Sequence, residues 1–147
     1  MRARHLIVCT LMCGLAAGWA PLVAKKADEP DVVTVQHILI GFKKTVPNKK
    51  LERTKKEAET LALELLERAK AGEDFDGLVK QYTDDSHPGI YVMTNFDMPK
   101  RGGGLGREAM VTRFGDVAFS LEVGEVGLAK YHYGSSPYGW HVIKRLE

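Results

Sequence analysis

The chain has 147 residues, 44% hydrophobic and 27% charged, with 15 glycines and 6 prolines, which excludes collagen-like, low-complexity and wholly disordered chains. The length allows one domain and not two full-sized ones. Net charge is +2, and Arg2 with Arg4 account for it, because the rest of the chain carries 19 cations and 19 anions. That balance argues against general nucleic-acid binding, which needs a strongly basic face.

Met1 to His5 is a short basic start, and the 19 residues from Leu6 to Ala24 carry no charge. The apolar centre, Leu6 to Ala17, is followed by the small residues Gly18, Ala20 and Ala24. This is the pattern of a secretory signal, so residues 1–24 are read as a signal peptide. An uncleaved anchor is the alternative, since a run of this length can just span a bilayer. Neither Cys9 nor Cys13 follows the small residue that a lipoprotein signal carries. These two cysteines are the only ones, so a thiolate zinc site is ruled out for the body. A mature chain without cysteine suits an oxidising compartment. The expected location is extracytoplasmic, periplasmic or secreted, with membrane attachment only if the segment stays uncleaved.

Residues 25–31, charged and containing Pro30, read as a linker. Residues 32–147 read as one folded domain with enough chain for a single core. Val33 to Ile40 is rich in β-branched residues and partly alternating, which predicts a strand, and its apolar end predicts a central one. Gly41 to Lys50 is a loop. Ala58, Leu61, Ala62, Leu65, Leu66 and Ala69 lie on one face of a long helix that stops at Gly72. Asp74 caps a second helix over Phe75 to Gln81. Tyr82 to Gly89 is loop, Ile90 to Lys100 is ambiguous, and the run Gly102 to Gly106 is permissive backbone. Phe114 to Leu121 predicts a short helix. Leu128 to Tyr133 and Trp140 to Leu146 predict two strands. Strand, helices, then strands is the order of an α+β fold with an antiparallel sheet.

His37 and His141 fall in the first and last strands, each followed by apolar residues. A strand alternates faces, so such a histidine points either to solvent or into a site lined by protein. Asp84-Asp85 opens the loop after the second helix and reads as a turn cap or as part of a site. A metal on His37, His141 and Asp85 is a rival reading, against which stands the lack of a close i, i+4 ligand pair. Hydrolysis through Ser86 or Ser136 lacks a Gly-x-Ser-x-Gly elbow. Lys43, Lys44, Lys49, Lys50, Arg53, Lys55 and Lys56 form a cationic run with Glu52 as its one acid. It is either a solvated face or a patch for acidic segments of a partner. The Gly-rich run lacks the Gly-Lys-Ser/Thr ending of a phosphate loop.

In order and spacing, several pieces resemble the parvulin family of peptidyl-prolyl cis-trans isomerases. They are Gln36-His37-Ile38-Leu39-Ile40, Ala71-Gly72-Glu73-Asp74-Phe75, Gln81-Tyr82-Thr83-Asp84-Asp85-Ser86, Phe114 to Leu121, Val123 to Gly127, and Tyr138-Gly139-Trp140-His141-Val142-Ile143-Lys144. The resemblance covers nearly all of Val33 to Glu147. It implies a parvulin-like (FKBP-like) four-stranded antiparallel sheet surrounded by about four helices. It further implies a bacterial envelope foldase with a peptidyl-prolyl isomerase activity, no metal and no cofactor. His37, Asp85, Ser136 and His141 match the family's catalytic positions, and Leu105, Met110 and Phe114 its proline pocket. Two departures accompany it: His87 to Lys100 is longer than the usual link, and Leu105 to Met110 is shorter. Expected partners are proline-containing segments of unfolded or exported proteins, with acidic segments drawn by Lys43, Lys44, Lys49 and Lys50. The rival function is a peptide-holding, chaperone-like module without catalysis.

Overall fold

The computed structural model describes residues 26, 28–100 and 103–147. Residues 1–24, read as a signal peptide, lie outside the described residues. The elements in chain order are β1 (Val32–Ile40), α1 (Lys55–Lys70), α2 (Phe75–Tyr82), β2 (Ile90–Thr94), β3 (Leu105–Gly106), a 3-10 turn (Arg107–Ala109), α3 (Thr112–Ser120), β4 (Val126–Ala129) and β5 (Trp140–Arg145). They form one sheet of order β3-β2-β1-β5-β4. All neighbours are antiparallel except β2 and β3, which run parallel.

The fold class is the expected α+β, with a correction to the counts. The sheet has five strands rather than four, and the described residues hold three α-helices and one 3-10 turn rather than about four helices. The fifth strand is the product of the Gly-rich run. Gly103 adopts φ +72, where an L side chain is strained, and the turn lays Leu105 and Gly106 beside Met93 and Thr94. The strand expected over Leu128 to Tyr133 ends at Ala129. Beyond it His132 accepts the amide of Ser136 at 2.8 Å, and the chain turns.

β1 is central because its side chains are apolar on both faces. Ile38 and Ile40, with Trp140 and Val142 of β5, pack against α1 and α2. Val33 and Val35, with Met93 of β2 and Ile143 of β5, pack against α3 through Phe114, Ala118 and Phe119. The cationic start of α1 opposes the helix dipole. A capping box offsets this: Glu57 N–H donates to Thr54 Oγ1 at 3.3 Å, and Thr54 N–H donates to the Glu57 carboxylate at 2.6 Å.

The end of the segment read as a linker is tied to the domain. Glu29 is buried, and its carboxylate accepts from Arg107 Nη1 at 2.6 Å and from Asn95 Nδ2 at 3.3 Å. Arg107 is itself buried between the rings of Phe96 and Phe119, with its carbon Cζ 4.7 and 4.9 Å from their centroids. Its Nη2 donates to Asp116 Oδ1 at 2.7 Å, which joins residue 29 to α3. Among the described residues no helix is long and apolar enough to cross a membrane.

Candidate active site

Alternation sends His37 of β1 to the face that carries Val33 and Val35 and that α3 covers. In the β1–β5 register Leu39 faces His141 and His37 faces Ile143, so the two histidines are diagonal neighbours on that face. Their rings lie 5.4 Å apart at 24°, and Nδ1 meets Nδ1 at 3.3 Å. Phe114 of α3 stands edge-on to both, with centroids at 5.2 and 5.3 Å. Tyr91 of β2 closes the other side of His37 at 5.4 Å.

Asp85 reaches this pair from the loop after α2. Its Oδ2 lies 3.2 Å from His37 Nε2, close enough for an ion pair, yet that nitrogen has no well-aligned hydrogen bond. Tyr91 O–H donates to the same carboxylate oxygen at 3.4 Å. The His37 imidazole alongside holds the Asp85 carboxyl below its ordinary range, against the opposing effect of burial. Burial, and then the Asp85 charge, pushes the Tyr91 hydroxyl up.

The carboxylate beside Nε2 favours a proton on that atom of His37. His37 Nδ1 is then the acceptor, His141 Nδ1–H the donor, and His141 Nε2 a bare acceptor. That last atom is buried with no hydrogen-bond partner among the described residues. Burial, and then His37 alongside, lowers His141 to about 3, so the imidazole is neutral.

The neighbouring loop residues fix this arrangement. Asp84 is buried and pairs with Arg53 Nη1, while its Oδ2 accepts from the Gly41 amide at 2.8 Å. Thr83 Oγ1 accepts from the amides of Leu39 at 3.1 Å and Asp85 at 3.2 Å. Of the paired acids, Asp84 anchors the loop and Asp85 presents a charge. Ser136 is fully buried and donates from Oγ to the Gly139 carbonyl at 3.0 Å. It shapes the loop entering β5, and no hydrogen bond joins it to either imidazole.

A cavity of about 370 Å³ opens over these groups. Its floor and walls are His37, His141, Asp85, Tyr91, Met110 and Phe114. Val46, Pro47 and Lys49 of the loop after β1, and Tyr138 of the loop before β5, also line it. Leu105 does not; it is 41% exposed on the edge strand β3. The short 3-10 turn that follows β3 brings Met110 rather than Leu105 to the cavity. Sequence reasoning missed Tyr91, Tyr138 and Pro47. Tyr91 lay in the ambiguous stretch, and the loop aromatic and proline carry no periodic signal. Lys49 also belongs to a second surface cleft, where it joins Lys43, Lys44 and Lys50. No group of three or more His, Cys, Asp or Glu side chains suited to a metal occurs among the described residues.

The sheet thus lies between helices, with an apolar cavity above the two hydrogen-bonded histidines. Residues 21–147 match the family model described as the PPIC-type PPIase domain, and the chain belongs to this parvulin-type peptidyl-prolyl isomerase family. It is 35% identical over 119 residues to the chaperone SurA of Pseudomonas fluorescens, covering 79% of this chain and 23% of that protein. It is 34% identical over 113 residues to the foldase protein PrsA 4 of Bacillus cereus, covering 75% of this chain and 30% of that protein. The chain thus spans about a quarter of the length of these curated relatives. The solution structure of TbPIN1 shares the fold, with TM-score 0.57 at 18% identity over 80% of this chain and 98% of that one.

Proposed function

We propose that the domain catalyses cis-trans isomerisation of prolyl bonds in unfolded or exported polypeptides. The observation that carries this reading is the cavity itself. Met110 and Phe114 offer an apolar seat for a proline ring, beside an ionised Asp85 held by the imidazole pair. The prolyl bond turns over a barrier of about 18–20 kcal/mol, and nothing need be cut or transferred. The catalyst must hold the twisted amide better than either planar form. A cavity of about 370 Å³ has ample room for a proline ring. His37 and His141 act as supports for Asp85, with no nucleophile and no covalent intermediate. Ser136 supports them at one remove, by fixing the loop that leads into His141.

Partners follow from the same geometry. Lys49 stands both on the cavity wall and in the lysine cleft, so acidic residues near the proline are drawn to Lys43, Lys44, Lys49 and Lys50. The pattern of residues 1–24 supports work outside the cytoplasm. A second reading, a chaperone-like module that holds peptides without turning them, is favoured by the name of the SurA relative. A protease-coupled isomerisation assay separates the two. For the enzyme, the wild-type domain accelerates a proline peptide and Asp85→Ala slows it about tenfold or more. Acceleration by neither, with peptide binding retained, overturns the enzyme reading. Equal acceleration by both removes Asp85 from the mechanism.

A further inference from the structure

We propose that Gln36 is a positioning residue for Asp85, acting from the opposite face of β1. The inference rests on the isomerase reading for its kinetic arm alone. Gln36 and His37 are consecutive in β1, so they point to opposite faces. His37 lines the cavity, whereas the buried Gln36 side chain turns toward α2. Its Nε2 donates to Asp76 Oδ1 at 2.8 Å and to the Pro88 carbonyl at 2.8 Å, which uses both protons of the amide. The His37 amide then donates to the Gly89 carbonyl at 3.0 Å. Two successive residues of β1 thus hold two successive carbonyls of the loop that carries Asp85.

The contact is intimate. Gly89 has φ +63, and a Cβ there would fall 2.9 Å from the His37 carbonyl oxygen and 3.3 Å from its Cδ2. His87 Nε2 also lies 2.9 Å from Asp76 Oδ1, so one carboxylate oxygen gathers β1 and the loop together. At the loop's other end stand the bonds of Thr83 and Asp84 to Leu39. Asp85 sits between these two clamps. The first is tied to backbone and to the Arg53–Asp84 pair. The second joins the buried Gln36 amide, the His37–Gly89 backbone bond and the exposed His87–Asp76 contact, and Gln36 is its one buried side chain. Without the Gln36 amide the Pro88 carbonyl loses its side-chain donor, and the exposed His87–Asp76 contact alone ties the span from Ser86 to Pro88 to α2. A carboxylate 3.2 Å from His37 has little tolerance for such drift.

The test uses three variants and two measurements. Gln36→Met keeps the length and removes both donors. Gln36→Lys keeps donors for both acceptors. Asp76→Ala removes one acceptor at an exposed position of α2. The measurements are kcat and KM on a proline peptide and the imidazole nitrogen resonances of His37. Gln36→Met is expected to lower kcat about tenfold with KM little changed, and to shift the His37 resonances. Gln36→Lys restores both. Asp76→Ala moves the resonances in the same direction and lowers kcat by a smaller factor. Unshifted His37 resonances in Gln36→Met, or a loss that Gln36→Lys does not recover, overturn the proposal. Should Gln36→Met fail to fold, Asp76→Ala decides by the same two measurements. Should the wild type fail to isomerise, the activity reading falls, and the resonances still decide whether Gln36 places Asp85.

Discussion

The neutrality of His141 makes a quantitative prediction about acid. Burial among Phe114, His37 and the sheet lowers this imidazole from 6.5 to about 3. The unfolded chain therefore takes up a proton as pH falls through 6.5, while the folded chain does not until about 3. Stability contributed by the neutral form is complete above 6.5 and is lost progressively down to about 3. At 1.4 kcal/mol per unit, the loss is roughly 2 kcal/mol by pH 5 and about 5 kcal/mol over the whole interval. The carboxyls of Glu29 and Asp85 are also held below their ordinary values of 4.5 and 3.8, and they add a loss of the same sign further into acid. The interval from about pH 5 to 6.5 thus isolates the imidazole. Urea unfolding measured at several pH values in this interval should show the slope. His141→Gln, which can still donate to His37 Nδ1 and does not titrate, should flatten it. An unchanged slope in His141→Gln, or an imidazole resonance of His141 that titrates near 6.5 in the folded protein, would refute the reasoning.

Two further perturbations test separate parts of the structure. Met110→Ala opens the cavity wall at a half-buried position, and KM for a proline peptide should rise about fivefold, with a stability loss of about 1–2 kcal/mol by urea titration. Arg107→Leu leaves the buried Glu29 carboxylate without its cation and should cost about 3–5 kcal/mol. Combining it with Glu29→Gln should recover part of that loss in a double-mutant cycle, and full additivity would show that the two residues are not coupled.

Legibility of the chain followed the range of the interactions. β1 and α1 announce themselves through local periodicity, and their apolar faces are the ones the core uses. β2 was ambiguous because its pattern runs against expectation: Ile90 and Val92 are 46% and 37% exposed, while Thr94 is buried. β3 owes its existence to glycine freedom and a neighbouring strand, neither of which has a periodic signature. The two histidines could be singled out as polar residues in apolar strands. Their adjacency depends on the register of residues 104 positions apart, which no local pattern encodes. The same holds for Arg53. Within a run of cations it looks solvated, and only the fold reveals that it pairs with buried Asp84.

The proposed isomerisation transfers no proton, yet it has a physical use for two histidines. In the proposed reaction the planar prolyl amide carries partial negative charge on its carbonyl oxygen through resonance, and the twisted form carries less. A fixed negative charge beside that oxygen, within an apolar cavity, therefore disfavours the planar form more than the twisted one. Asp85 supplies such a charge only if it stays ionised while half-buried. A hydrophobic neighbour would raise its pKa and extinguish the charge; a permanent cation would cancel the field. An imidazole avoids both, because its N–H dipole favours the carboxylate and, unlike Lys or Arg, it need carry no permanent charge. One imidazole could pivot about its side-chain torsions, and the second, locked at 3.3 Å and braced by Phe114, removes that freedom.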